Sequence, residues 1–215
     1  MTTVLVIGAS HGIGLATVRA ALARDMEVRA LARSALQAAK TFAAREARPV
    51  TWIAGDARDP AAIDQGLMGA QAVIWALGAG PTRKPVCLFS HSLSVLLPAM
   101  KAAGVRRLLA VTGIGAGDTR GHGGWFYDRV QQPLLLASLY EDKDRSEALI
   151  RASALDWTIV RPGFLTNQPA RPALNANQPR SLPARPDLAS ERRGVDAGPD
   201  RPARVLAREP LADQR

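Results

Sequence analysis

Three glycines, Gly8, Gly12 and Gly14, stand in the stretch VIGASHGIG at residues 6–14, directly after an apolar run and directly before LATVRAALA. Glycines in such a place allow a tight exit from a strand, close approach of the backbone to a diphosphate, and close packing of the next helix on the sheet. A helix opening there offers unpaired N–H groups and the positive end of its dipole to anionic oxygens. Ser10, His11 and Ile13 share the turn and become candidate contacts with it. No Lys-Ser or Lys-Thr follows the last glycine, which excludes a P-loop. The turn therefore predicts a bound dinucleotide.

The next residues with chemistry to offer lie roughly 20 positions on, where NAD-preferring dehydrogenases place a carboxylate against the ribose 2′-OH. Here the chain reads LARSAL, with Arg33 and Ser34 and no acidic residue. A guanidinium grips a 2′-phosphate through paired, charge-assisted hydrogen bonds, whereas a carboxylate would repel it. Arg33 and Ser34 thus predict NADPH over NADH; Arg29 lies too far back along the strand to share the task.

The overall charge fits a phosphorylated cofactor. The formal net charge is +9, mostly from arginine, and the sequence pI is about 10.9. The arginines are scattered, without a basic run or interleaved aromatics, so a nucleic-acid surface is not expected. Cys87 is the only cysteine of the 215 residues, which rules out an internal disulfide and points to a reducing, cytoplasmic setting. No apolar run reaches the roughly 18 residues of a membrane span. The fold is expected to begin at once with TVLVIG, with no leader segment.

Positioning these groups requires alternating strands and helices. Apolar, β-rich runs at 3–8, 26–32, 49–56, 70–78, 105–113 and 155–163 predict six strands. Helical patterns lie between them: GIGLATVRAALARD, SALQAAKTFAARE with Ser34 as N-cap, a short helix opening at Asp59-Pro60, LSVLLPAMKAAG kinked at Pro98 and closed by Gly104, and DKDRSEALIRAS. The alternation predicts an α/β fold, a Rossmann-type doubly wound parallel sheet in three layers, with strand order 3-2-1-4-5-6. Ligands in such sheets sit beyond the carboxyl ends of the strands. After Asn167 the composition turns to Pro, Arg and Ala with no sustained period. Residues 1–167 are therefore expected to form the nucleotide-binding domain and 168–215 a flexible tail. Its bias is also what a shifted, GC-rich reading frame encodes.

Taken together, several stretches resemble the short-chain dehydrogenase/reductase superfamily. The glycine spacing G-x-x-x-G-x-G is of that type, and AGDARD and WALGAG resemble its strand-three and strand-four turns. KDRSEALIRASALDWTIVRPG resembles a block of the atypical branch, which includes NAD(P)H-binding, NmrA-like and flavin- or biliverdin-reductase-like proteins. The resemblance implies that Asp56, with Ala57 beside it, contacts adenine and that Leu77 and Gly78 border the adenine ribose. It also implies that the backbone at Pro162 faces the nicotinamide carboxamide, that a basic group near His11 suits NADP, and that Arg161 is structural.

The catalytic set of the main branch, Ser with Tyr-x-x-x-Lys, is incomplete. Lys143 matches the lysine, but Leu139 occupies the tyrosine position, and Tyr140 is displaced by one residue, about 100° around a helix. Where the serine is expected stand Thr112 and Gly113. Thr112, Lys143 and Tyr127 are the catalytic candidates, with His122 beside Tyr127 in the glycine-rich DTRGHGGWFYDR. Lys143 can alternatively pair with Glu147 one helical turn on. No metal is expected. The resemblance implies hydride transfer from NADPH to a small flavin, quinone or carbonyl acceptor; the alternative is a non-catalytic NAD(P)H sensor or scaffold.

Overall fold

Apolar runs become strands where both faces of the chain can be covered, and the first such run shows how. Along β1 (Thr3–Ile7), Val4 and Val6 turn to one side of the sheet and Leu5 and Ile7 to the other, and all four are buried. In the computed structural model, which describes residues 1–44, 46, 48–80, 85–113 and 137–162, six such runs form one parallel sheet, with the edge strands less buried than the central ones. They are β1, β2 (Glu27–Ala32), β3 (Thr51–Ala54), β4 (Ala72–Trp75), β5 (Arg107–Val111) and β6 (Asp156–Val160). The strand order is β3-β2-β1-β4-β5-β6, as the sequence predicts.

Two helices, α1 (Gly12–Leu22) and α2 (Ala35–Ala43), bury Val18, Leu22 and Phe42 on the Val4–Val6 face. On the opposite face α3 (Pro60–Leu67), α4 (Leu88–Ala102) and α5 (Ala137–Ala152) bury Ile63, Leu93, Leu96, Met100 and Ile150. Each such side chain contributes roughly 1.5–3 kcal/mol when taken fully out of water. Trp75, at the end of β4, anchors this second layer. Its Nε1 donates to the buried Ser92 hydroxyl at 2.9 Å, and its ring meets Phe89 edge-on at 5.9 Å.

The strands stop short of the apolar runs that encode them. β4 ends at Trp75, although the run reaches Gly78; only the Ala76 N–H still bonds back, to the Ile7 carbonyl at 2.9 Å. Beyond that point the chain leaves the ladder to form a rim above the sheet. Asp59 caps α3 as expected, its carboxylate accepting the Ala61 N–H at 3.0 Å with Pro60 in the first turn. Ser34 occupies the N-cap of α2, but its side chain makes no capping hydrogen bond. Helix α4 runs on through Pro98 and is closed by Gly104, whose φ is +70°.

The start of α4 is capped by a neighbouring helix. The fully buried carboxylate of Asp142 on α5 accepts the N–H of Phe89 at 2.7 Å, together with the N–H and hydroxyl of Ser90. Ser138 and Arg145 of the same helix hold Val86, through its N–H and its carbonyl. A negative charge at the positive end of a helix dipole is favourable, more so when buried. Among the described residues no helix is long and apolar enough to cross a membrane.

Candidate functional site

The carboxyl ends of the strands open into one cleft of about 840 Å³, lined from all six strand ends. At its centre lies the glycine turn. Gly8 has φ +85°, and a Cβ there would sit 2.5 Å from the Ala76 carbonyl oxygen, so only glycine lets β1 exit beside β4. Gly14 lies beneath the cleft rather than in its wall; a Cβ on it would collide with the Gly8 carbonyl. Gly12 differs from both. Its φ is +56°, and the space where a side chain would stand is open.

Helix α1 begins at that open space. His11 is its N-cap residue but makes no side-chain cap, and the first turn contains no acidic residue. The N–H groups at this end therefore have no competing carboxylate, which fits an anionic ligand. Gly8, Ser10, His11, Gly12 and Ile13 all line the cleft here. The Ser10 hydroxyl lies 2.9 Å from His11 Nδ1.

One end of the cleft is formed by Arg33 and Ser34 after β2 and by Asp56 and Ala57 after β3. Arg33 is exposed and makes no hydrogen bond or ion pair among the described residues. Asp56 is engaged. Its two carboxylate oxygens accept Nε and Nη2 of Arg58, each at 2.8 Å, and one of them also takes the Arg58 N–H. That pairing holds the Asp56 carboxyl down at about 2, with Arg33 adding a weaker pull in the same direction. Arg29 bonds the Gln65 carbonyl and does not reach the cleft.

Leu77 and Gly78 form the rim after β4, and the far end is built by Thr112, Gly113, Tyr140, Lys143 and Pro162. Lys143 does not bond Glu147 but donates to the Thr112 carbonyl at 2.8 Å. Its ammonium also lies 5.6 Å from the Phe89 ring centre and 5.4 Å from that of Tyr140. Burial pushes the Lys143 amine below its ordinary value, while the charge of Glu147 acts in the opposite sense. The Thr112 hydroxyl donates to Glu147 at 2.8 Å, so its proton is directed away from the cleft.

Tyr140 is the residue that motif matching passes over. Displaced by one position from Tyr-x-x-x-Lys, it still shares a helix face with Lys143, because i and i+3 are neighbours on an α-helix. Its spacing to Lys143 was the signal that could have found it. Tyr127 and His122 lie outside the described residues, as does the tail from 168. Among the described residues no group of three or more His, Cys, Asp or Glu is arranged to hold a metal ion.

Known proteins share this arrangement. The chain is 28% identical over 163 residues to an NAD(P)H azoreductase of Xenophilus azovorans, covering 75% of this chain and 48% of that protein, so it spans about half the relative's length. An uncharacterized sugar epimerase, YhfK of Bacillus subtilis (strain 168), is 27% identical over 170 residues, 77% of this chain and 73% of its own. Among solved structures, ChuY, an anaerobillin reductase from Escherichia coli O157:H7, superposes with a TM-score of 0.64 at 25% identity, covering 79% of this chain and 76% of that one. A short-chain dehydrogenase/reductase from Veillonella parvula DSM 2008 in complex with NADP shares the fold, with a TM-score of 0.65 at 19% identity over 80% of this chain and 73% of its own. The model of the NAD(P)H-binding family matches residues 8–189, from the first glycine of the turn to beyond the sixth strand. With that match laid over a 3-2-1-4-5-6 sheet and a cleft at its carboxyl edge, the chain belongs to the NAD(P)H-binding family.

Proposed function

We propose that this protein binds NADPH in preference to NADH and reduces a small, electron-poor acceptor such as a flavin, a quinone or a carbonyl compound. One observation carries the cofactor preference: the cleft has after β2 an exposed Arg33, with no hydrogen bond or ion pair among the described residues, and no carboxylate in LARSAL. In this reading the N–H groups at Gly12 and Ile13 hold the diphosphate, with Ser10 and His11 beside it. Arg33 and Ser34 take the 2′-phosphate. Asp56 and Ala57 border the adenine, and Leu77 and Gly78 border its ribose. The Asp56 carboxylate, held ionised by Arg58, acts only as an acceptor. The backbone at Pro162 meets the carboxamide.

The bound cofactor supplies the hydride, so the chain's own residues have only to orient and shield the reacting groups. Lys143 places a half-buried amine at the far end, and Tyr140 lies on the same helix face. Thr112 acts through its carbonyl on Lys143 rather than by donating to substrate. Tyr127 is proposed as a further substrate-side group. Similarity to proteins named as an NAD(P)H azoreductase and an anaerobillin reductase supports the reductive direction.

A second reading has a specific observation in its favour. Leu139 occupies the expected acid position, and the Thr112 hydroxyl is committed to Glu147. A protein so built can bind the dinucleotide without turnover and act as a sensor. Titration calorimetry with NADPH and NADH, followed by absorbance near 340 nm with flavins, quinones, azo dyes and aldehydes, separates the two. Oxidation above background supports the reductase. Tight binding with no turnover supports the sensor, and equal affinity for both dinucleotides removes the NADPH preference.

A further inference from the structure

Glu147 lies on α5, one turn beyond Lys143, and is fully buried. Its Oε1 accepts the Thr112 hydroxyl at 2.8 Å and Arg161 Nε at 3.0 Å. Its Oε2 accepts Arg161 Nη2 at 2.6 Å and Arg151 Nη2 at 3.1 Å. A buried carboxylate is costly unless paired and fully hydrogen-bonded, and here each oxygen has two donors. The partners tie together three elements that meet at one end of the cleft. Thr112 follows β5 and carries the carbonyl that receives Lys143; Arg161 follows β6 and immediately precedes Pro162.

We propose that Glu147 is a positioning residue for the nicotinamide end of the site, fixing the backbone at Thr112 and Pro162, and through Thr112 the Lys143 ammonium, in a single arrangement. The inference rests on the cofactor reading above. Substrate and cofactor do not touch Glu147 in this account; it acts through the strand ends it joins. Among the described residues the opposite end holds no such buried network: its lining carboxylate, Asp56, pairs with Arg58 in a partly exposed position. The two ends are therefore separable by substitution.

Glu147→Gln tests this with little change in volume. Whichever way the amide turns, one oxygen becomes an NH₂ group facing Arg161, which loses at least one of its two bonds. Two probes are titrated into the full chain: NADPH, and adenosine 2′,5′-bisphosphate, which carries the adenine and the 2′-phosphate but no nicotinamide. The variant is expected to bind NADPH about tenfold more weakly, the scale of a lost charge-assisted hydrogen bond, while affinity for the bisphosphate stays within about twofold. The blue shift of NADPH fluorescence on binding should shrink in parallel. Thr112→Val is expected to show the same split at smaller amplitude, and it carries the test if Glu147→Gln does not fold. Arg151→Gln, which removes a donor to Glu147 that comes from α5 itself, should leave the ratio of the two affinities unchanged. Parallel loss of both ligands, or a lowered melting temperature with both affinities intact, would make Glu147 a purely structural brace and overturn the proposal. Wild-type protein that binds neither probe would remove the cofactor reading and this inference with it.

Discussion

The two ends of the cleft are built by different means. At the end beyond β1, β2 and β3, the walls are turns that follow the strands: 8–13, Arg33 with Ser34, and Asp56 with Ala57. Most of the work there is done by backbone, and the glycines are needed for what they lack. At the β5–β6 end, Thr112, Tyr140, Lys143 and Pro162 come from three elements and are held by a buried network of side chains around Glu147. The first end is shaped by backbone turns packed at the strand ends, whereas the second depends on a buried side-chain network staying intact. Damage to each should therefore look different.

The largest effect is expected from Gly14→Val. Its side chain would enter the space of the Gly8 carbonyl, where no rotamer relieves the clash. The cost should be at least the roughly 1–3 kcal/mol of ordinary overpacking, with dinucleotide binding abolished; chemical denaturation and calorimetry would measure both. Full affinity in this variant would break the view that backbone packing forms the first end.

Next comes Arg33→Glu, which sharpens the comparison because it changes charge and leaves the fold alone. NADPH affinity should fall roughly a hundredfold, about 2.8 kcal/mol, with NADH affinity unchanged or improved. An unaltered NADPH-to-NADH ratio would show that the 2′-phosphate lies elsewhere.

Asp142→Ala addresses the side-chain-held end. It leaves the N–H groups of Phe89 and Ser90 without their buried acceptor. A loss of about 2 kcal/mol in unfolding free energy is expected, with the adenine-side affinity preserved. Loss of both together would mean that the ends are not independent.

The smallest effect concerns Arg58→Ala. The Asp56–Arg58 pair is partly exposed, so at neutral pH its removal should cost less than about 1 kcal/mol. The sign with pH is definite. A carboxyl with an unfolded value near 3.8 and a folded value of about 2 contributes stability that is fully present above the unfolded value and is lost as pH falls through the folded one. The difference in denaturation midpoint between wild type and variant should accordingly shrink between pH 4 and pH 2. A difference that persists at pH 2 would assign it to packing by the arginine stem.

Much of the architecture was legible beforehand because parallel, doubly covered strands leave an unmistakable mark. Val4 to Ile7 is apolar at every position, and helical patterns separate each run from the next. The glycine turn was legible for a similar reason: its three glycines follow one apolar run at a fixed spacing and open the next helix, even though the contact that requires Gly8 comes from Ala76. Strand ends were not, since Ala76 to Gly78 are as apolar as a strand yet turn away to form the rim. Lys143 offered two readings in sequence, a helix-surface pair with Glu147 or a cleft group. The structure takes the amine instead to the Thr112 carbonyl. By register alone Tyr140 falls outside Tyr-x-x-x-Lys, although one residue of displacement on a helix keeps it beside Lys143.

By itself, the amino-acid order determined the sheet, its strand order and the diphosphate-type turn, because hydrophobic periodicity and glycine spacing are patterns carried along the chain itself. Only the tertiary structure decided what the buried charges do. Glu147 receives Thr112, Arg151 and Arg161 rather than Lys143, and Asp142 caps a helix that is not its own. Pairings of that kind depend on which polar groups are brought together away from water, where each must find a partner, and spacing along one chain does not specify that neighbourhood.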